Sequence, residues 1–292
     1  VPYRFFLADV FTEQAFAGNQ LAVFPDARGI ADRAMQAIAR EFNFPETTFV
    51  LPAQDARHAC RVRIFTPKAE IPFAGHPTVG TAAVMTRLGA IKPPKAILEE
   101  GVGPVPVEIE LRGERVHARL VVERDVEVPA VSPAKEHAAA VLSLPAAAVV
   151  DTWFASGGLR FAFIRLADRG AVDRAILDRS AWSSHFARAW AASLYLFTGE
   201  REIYSRMFAP GLGVDEDPAT GSAAVALAGV LASREGESEG DFAYPIEQGV
   251  AMGRPSRLEA SAEKRGGRVV RIKVGGATCI VGEGAMEIPA GY

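Results

Sequence analysis

Two stretches decide how this chain is read: Ala74-Gly-His-Pro-Thr-Val-Gly-Thr-Ala-Ala-Val84 and Thr220-Gly-Ser-Ala-Ala-Val-Ala-Leu-Ala-Gly-Val230. From His76 to Thr86, and again from Ser222 to Ser233, no side chain is charged apart from an ionisable His76. A helix that is apolar and rich in small residues on every face is buried on every face. Neither run is long enough to cross a bilayer, so each must be enclosed by protein. The natural container is a curved antiparallel sheet made from the neighbouring strands. The expected fold is α/β (α+β), with two lobes facing each other across a cleft. Each lobe is a barrel-like, mainly antiparallel sheet around one central helix.

Outward from these stretches the chain repeats itself. Arg28-Gly-Ile-Ala-Asp-Arg-Ala34 recurs as Arg169-Gly-Ala-Val-Asp-Arg-Ala175, and Arg63-Ile-Phe-Thr-Pro67 recurs as Arg206-Met-Phe-Ala-Pro210. Three matches in one order at nearly constant separation mark an internal repeat. Apolar and β-branched runs at Tyr3–Phe11, Leu21–Phe24 and Thr47–Leu51 read as strands, as do Val149–Phe154, Phe161–Leu166 and Ser193–Phe197. Helices are expected from about Ile30 and Ala171, and later strands at Val116–Val122 and Val269–Val274. Charges and prolines cluster over Arg124–Pro133, which places a linker there. Residues 1–126 then form the N-terminal lobe and 127–281 the C-terminal lobe, with a last segment from about 282 to 292 free to return to the first.

Composition removes several classes. The chain has 292 residues, 49% of them apolar and 23% charged, the balance of a globular protein. Its formal charge of −3, without a clustered basic surface, argues against nucleic-acid binding. The longest apolar run, Ala138–Val150, is interrupted by Pro145 and too short to span a membrane. The first residues lack the basic-then-apolar pattern of a signal peptide, so a cytoplasmic location is expected. Cys60 and Cys279 read as packed thiols, too few for a disulfide framework or a thiolate metal site. His58, His76, His117, His137 and His185 never fall four apart on a plausible helix. A metal-free protein is expected.

Candidate site residues gather at the two helix starts. A helix begins with unpaired N–H groups and a partial positive charge, and glycine lets a ligand come close to that backbone. Gly75 and Gly221, with Thr220 beside the latter, are therefore candidates to hold a small carboxylate, while neither loop carries a phosphate-binding signature. Tight strand-to-helix turns are the bland account of the same glycines. Glu46, in Asn43-Phe-Pro-Glu-Thr-Thr-Phe-Val50, stands at the mouth of a strand, and its approximate counterpart at Arg188–Ala192 offers no acid. Asp217 reads either as a turn or capping residue before Pro218 or as a functional acid. His76 reads as a cap or a proton carrier, held neutral by the positive helix end. Ser222 adds a hydroxyl at the second helix start, and Asn19 stands in a turn, Phe16-Ala-Gly-Asn19, that could touch a ligand.

Taken together, Phe16-Ala-Gly-Asn19, Phe44-Pro-Glu-Thr47, Phe65-Thr-Pro67, Pro72-Phe-Ala-Gly-His-Pro-Thr78, Glu216-Asp-Pro-Ala-Thr-Gly-Ser222, Gln248-Gly249 and Met252-Gly-Arg-Pro-Ser256 resemble the PhzF family of phenazine-biosynthesis-like isomerases. The resemblance runs through nearly the whole chain. It implies a fold like that of diaminopimelate epimerase and a cofactor-independent isomerase with one base. The epimerases place a cysteine at each helix start; Ala74 and Thr220 stand there in this chain, which excludes a two-thiol mechanism. In the family's characterised member a proton moves within dihydro-3-hydroxyanthranilate, turning an enol into a ketone. By position Glu46 matches the catalytic glutamate, and His76, Asp217 and Ser222 match polar groups around the substrate. Such a carboxyl, in a closed dry site, could visit two carbons on one face. A homodimer is common in the family, though no stretch here marks an interface. Two alternatives stay open: a small-molecule binding or regulatory protein, and a racemase or epimerase using Glu46 with Asp217.

Overall fold

The computed structural model describes residues 2–289. The chain forms two compact units, Val1–Val121 with Gly275–Tyr292, and Val122–Val274. The exchanges between units fall inside strands rather than in the charged, proline-bearing stretch that follows the first of them.

Unit 1 contains β1 (Tyr3–Val10), β2 (Asn19–Phe24), α1 (Asp32–Phe42), β3 (Glu46–Leu51), β4 (Cys60–Phe65), β5 (Glu70–Ile71), α2 (Gly75–Arg87), β6 (Lys95–Glu100), β7 (Gly103–Arg112) and β8 (Arg115–Val122). Unit 2 contains α3 (Lys135–Val141), β9 (Val149–Ser156), β10 (Arg160–Leu166), α4 (Arg169–Arg174), α5 (Arg179–His185), β11 (Ser193–Thr198), β12 (Ile203–Phe208), α6 (Gly221–Arg234), β13 (Gly240–Gln248) and β14 (Ser256–Arg265). The last strand, β15 (Arg268–Met286), begins in unit 2 and ends in unit 1.

In unit 1 the strands run in the order β1-β2-β3-β4-β6-β7-β8-β15, and β15 pairs again with β1. That pairing closes an eight-stranded barrel, which removes the exposed edges of the sheet. Unit 2 runs β9-β10-β11-β12-β13-β14-β15. The repeat holds strand for strand. β2–β3 and β4–β6 are parallel in unit 1, as β10–β11 and β12–β13 are in unit 2. Phe65 pairs with Thr47 and Phe208 with Leu194, so the two Arg-x-Phe motifs occupy equivalent rungs.

The two apolar helices behave as their composition requires. Every residue of α2 from Gly75 to Thr86 is buried, and the helix touches β1, β2, β3 and β7. In α6, Gly221 and Ala223–Val230 are buried, and the helix touches β9, β10, β13 and β14. The first charged side chains on either are Arg87 and Arg234, in the last turns. Burying Val79, Val84 and Met85 contributes roughly 1.5–3 kcal/mol per side chain toward the cost of ordering so short a helix. By contrast α1 is two-faced, packing Ala34, Met35, Ile38 and Ala39 against Phe24, Phe49 and Phe65. Among the described residues no helix is long and apolar enough to cross a membrane.

One strand exceeds its sequence signature. The run Val269–Val274 reads as a strand, yet β15 continues to Met286 through Gly275, Gly276, Gly282 and Gly284. Glycines ordinarily weaken a strand, but at Gly275 close approach of another backbone demands one. A Cβ at Gly275 would collide with the Ala118 carbonyl oxygen and lie 2.5 Å from Arg119 Cα. Gly275→Ala is therefore expected to destabilise the protein by about 1–3 kcal/mol through overpacking, read as a lower midpoint in chemical denaturation.

Candidate active site

In unit 1 the strand register brings Glu46 and His76 together. Glu46 opens β3, immediately after Pro45, and pairs with Leu21 of the parallel β2. His76 is the second residue of α2, and its Nε2 lies 3.2 Å from the Gln20 carbonyl oxygen and 3.4 Å from Glu46 Oε2. A carbonyl oxygen can only accept, so Nε2 carries the hydrogen and gives it to Gln20, while Glu46 Oε2 stands beside the ring without a hydrogen bond to it. Burial pushes the His76 pKa down to about 3, against which the bond to Gln20 acts weakly. The ring is thus neutral, as the sequence suggested, but desolvation rather than the helix end is the main cause. His76 and Glu46 are therefore a close contact of a neutral ring with a carboxyl group rather than an ion pair. The Glu46 side chain is only 16% exposed. Asn19, the first residue of β2, is fully buried beside the Phe16-Ala-Gly turn.

In unit 2 the equivalent rung of β11 is Ser193, paired with Phe161 just as Glu46 pairs with Leu21. It lies one residue beyond the Arg188–Ala192 stretch that the sequence suggested, and it too is no acid. The start of α6 is instead held by a buried polar cluster. Thr220 Oγ1 donates to Asp217 Oδ2 at 2.5 Å. Gln248 Nε2 donates to the Asp217 carbonyl oxygen at 2.8 Å and to Thr220 Oγ1 at 3.0 Å. Gln248 Oε1 accepts from Thr220 N and from the Tyr195 hydroxyl, each at 3.3 Å. The amide has one sensible orientation, because the Asp217 carbonyl only accepts and the Thr220 N–H only donates. Asp217 is therefore fixed in place through its carboxylate and its carbonyl oxygen. Ser222 is the second residue of α6, the place His76 holds in α2.

Sequence reasoning missed two devices that set these loops. The arginines of the repeated motif each clamp an acid from the segment leading to the central helix. Arg63 holds Glu70 through Nε and Nη2 at 2.7 Å each, and Arg206 holds Glu216 the same way at 2.8 Å each. Each guanidinium also lies over the phenylalanine two residues on, 5.1 Å from the Phe65 ring centre and 5.0 Å from that of Phe208. Arg206 is the more deeply buried, and its Nη1 donates to the carbonyls of Val172, Asp173 and Ala175. The second device is Gln248 itself, visible in the sequence only as part of a family motif. The bidentate pairing could have been suspected from the two Arg-x-Phe matches, each followed by an acid within about one loop length.

Among the described residues no group of three or more His, Cys, Asp or Glu side chains is placed to hold a metal ion. Cys60 is packed, with burial and the nearby Glu100 and Glu99 pushing its thiol up to about 12, so it is no nucleophile. A surface hollow lined by Asp241, Glu263, Arg265, Arg271 and Lys273 lies on β13–β15, apart from both helix starts, and Arg265 and Arg271 are paired with Glu263.

A pair of repeated units, each with an enclosed helix and polar groups gathered at its first turn, defines a pseudo-symmetric α+β protein of the isomerase and epimerase type. The chain belongs to the PhzC-PhzF family of phenazine biosynthesis-like proteins, which matches residues 8–284, and it is an isomerase. It is 37% identical to the trans-2,3-dihydro-3-hydroxyanthranilate isomerase of Pseudomonas chlororaphis, over 98% of this chain and 100% of that one. It is 38% identical to an uncharacterized isomerase of Mesorhizobium japonicum, over 98% and 99% of the two chains. Among solved structures, a Bacillus anthracis phenazine biosynthesis protein of the PhzF family superposes with a TM-score of 0.89 at 23% identity, covering 99% of this chain and 100% of that one.

Two measurements check the geometry. The His76 ring resonances should not titrate from about pH 5 to 8, where an exposed imidazole does. An unfolded His76 would gain its proton near 6.5 and the folded one only near 3. Stability contributed by the neutral ring is therefore present above 6.5 and lost as acid is added across that window. Gln248→Leu, which strands the Thr220 N–H while the Tyr195 hydroxyl keeps Ser205, should cost about 1–3 kcal/mol in chemical denaturation.

Proposed function

We propose that this isomerase moves a carbon-bound proton within a small carboxylate-bearing substrate, with Glu46 first as base and then as acid. The observation that carries the reading is the Glu46 carboxyl held 3.4 Å from a neutral, buried imidazole N–H. A neutral His76 stands beside the carboxyl without competing for the proton, so one group can remove it from one carbon and return it to another. Neither Ala74 nor Thr220 makes a side-chain cap to its helix, which leaves first-turn amides for a substrate carboxylate. Gly75, Thr220, Gly221 and Asn19 are assigned to substrate binding, Asp217 to holding the substrate's amine or hydroxyl, and Ser222 to donating toward the charge that develops as the proton leaves.

The Pseudomonas chlororaphis relative is a trans-2,3-dihydro-3-hydroxyanthranilate isomerase, which supports a cyclic, amino-acid-like substrate here. The proposal includes a cytoplasmic homodimer that needs no metal or organic cofactor. Light scattering checks the dimer, and turnover after exhaustive chelation checks the metal.

Glu46→Gln is expected to keep the fold and reduce turnover of a dihydro-hydroxyanthranilate by about a hundred- to ten-thousand-fold. In deuterium oxide the wild-type product should retain part of the substrate's own hydrogen at the new position. A near-normal rate for Glu46→Gln would overturn the assignment. Loss of optical activity with deuterium at a stereocentre would favour a racemase instead.

A further inference from the structure

Glu100, the last residue of β6, is 8% exposed, and strand alternation puts it on the same face as the fully buried Leu98. Its Oε1 lies 2.7 Å from Thr78 Oγ1, and that oxygen lies 2.7 Å from the Ala74 carbonyl oxygen. A hydroxyl has one proton. The Ala74 carbonyl, which also receives the Thr78 N–H at 3.3 Å, can only accept, so while the Thr78 hydroxyl donates to it the contact to Glu100 needs a proton from the acid. An ionised Glu100 would instead draw the hydroxyl proton to itself and away from the Ala74 carbonyl.

The repeat supplies independent support. Cys60 pairs with Leu98 and Ile203 with Ile246, so Glu100 and Gln248 stand on equivalent rungs, two residues further along their strands. Gln248 donates to Thr220 Oγ1 at 3.0 Å, and Thr220 passes its own proton to Asp217. Both residues are followed by a glycine pressed onto the proline three before the helix-start glycine. A Cβ at Gly101 would lie 2.6 Å from Pro72 Cα, and one at Gly249 would lie 2.6 Å from the Pro218 carbonyl oxygen. One unit therefore uses an amide for this task and the other a carboxyl group.

We propose that Glu100 is an un-ionised acid at neutral pH and a positioning residue for the His76 turn, donating to Thr78, which donates to the Ala74 carbonyl just before Gly75 and His76. Burial, opposed by the Thr78 bond, pushes its pKa up to about 8. Ionisation would reverse the relay and release the Ala74 carbonyl from the Thr78 hydroxyl. The other ionisable groups on the elements around it are Cys60, Arg61 and Arg63 on β4, Lys95 and Glu99 on β6, Glu108, Glu110 and Arg112 on β7, Glu70 on β5, and His76 and Arg87 on α2. Cys60 stays a thiol and His76 a neutral ring through this range. Glu99 is already a carboxylate, tied to the amides of Gln54 and Asp55 and to His58. Glu70 is bound to Arg63.

The test compares wild type with Glu100→Gln and Thr78→Val. Infrared difference spectra should show a carboxylic acid band at neutral pH that disappears as the pH passes about 8 and is missing from Glu100→Gln. Amide protection over Gly75–Val79 should fall about tenfold across the same range in wild type and stay level in both variants. Absence of the acid band at neutral pH overturns the proposal, as does a wild-type pH response in either variant. These readouts need no substrate. The alkaline limb of kcat/KM, flattened in Glu100→Gln, rests on the proposed isomerase reading. If the spectra and exchange behave as expected and no turnover is found, that reading fails and this one stands.

Discussion

A helix closed inside a sheet cannot turn to water for its polar groups, and the rest of this structure follows from that constraint. Along the body of α2 and α6 the problem is solved by having no polar side chain beyond a few threonines and serines. At the first turn it cannot be solved that way, because the amides are part of the backbone. The chain answers with a second layer. Thr78 and Thr220 are each hydrogen-bonded to the strand that follows the helix, and Arg63 and Arg206 fix the segment that precedes it. The candidate chemistry stands on those two supports rather than on a mobile loop.

Much of this was legible from residue types. The uncharged runs after Ala74 and Thr220 could only be enclosed helices, and alternation around them supplied the strands. Glu46 could be placed at a strand mouth because Thr-Thr-Phe-Val follows it. The long-range supports could not be read, since nothing local marks Glu100 or Gln248 as partners of a threonine some twenty to thirty residues earlier. Strand register decides that, and register is a property of the folded sheet. The reach of β15 was hidden for another reason. Its glycines look like breakers in one dimension, and Gly275 at least is a steric necessity in three.

The repeat also shows where the halves have drifted apart. The framework is kept: ladder directions, the Arg-x-Phe clamp, the glycine pressed on a proline. The reactive positions are not. Glu46 answers to Ser193, His76 to Ser222 and Glu100 to Gln248. Every titratable member of these pairs lies in unit 1, which concentrates the pH-sensitive chemistry in one barrel and leaves the other to fixed hydrogen bonding. Such a division suits a reaction with a single proton carrier better than one with two symmetric acids.

The closing strand of the first barrel lies far along the chain from the strand it closes on. Residues Thr278–Met286 pair with β1, some 270 positions earlier in the chain. A nascent chain can therefore complete the sheet of unit 2 while the first barrel still lacks a stave. Contacts of such sequence separation form late and slowly. Until they do, β1 and β8 each keep one unpaired edge, the kind of exposed edge on which partly folded chains associate.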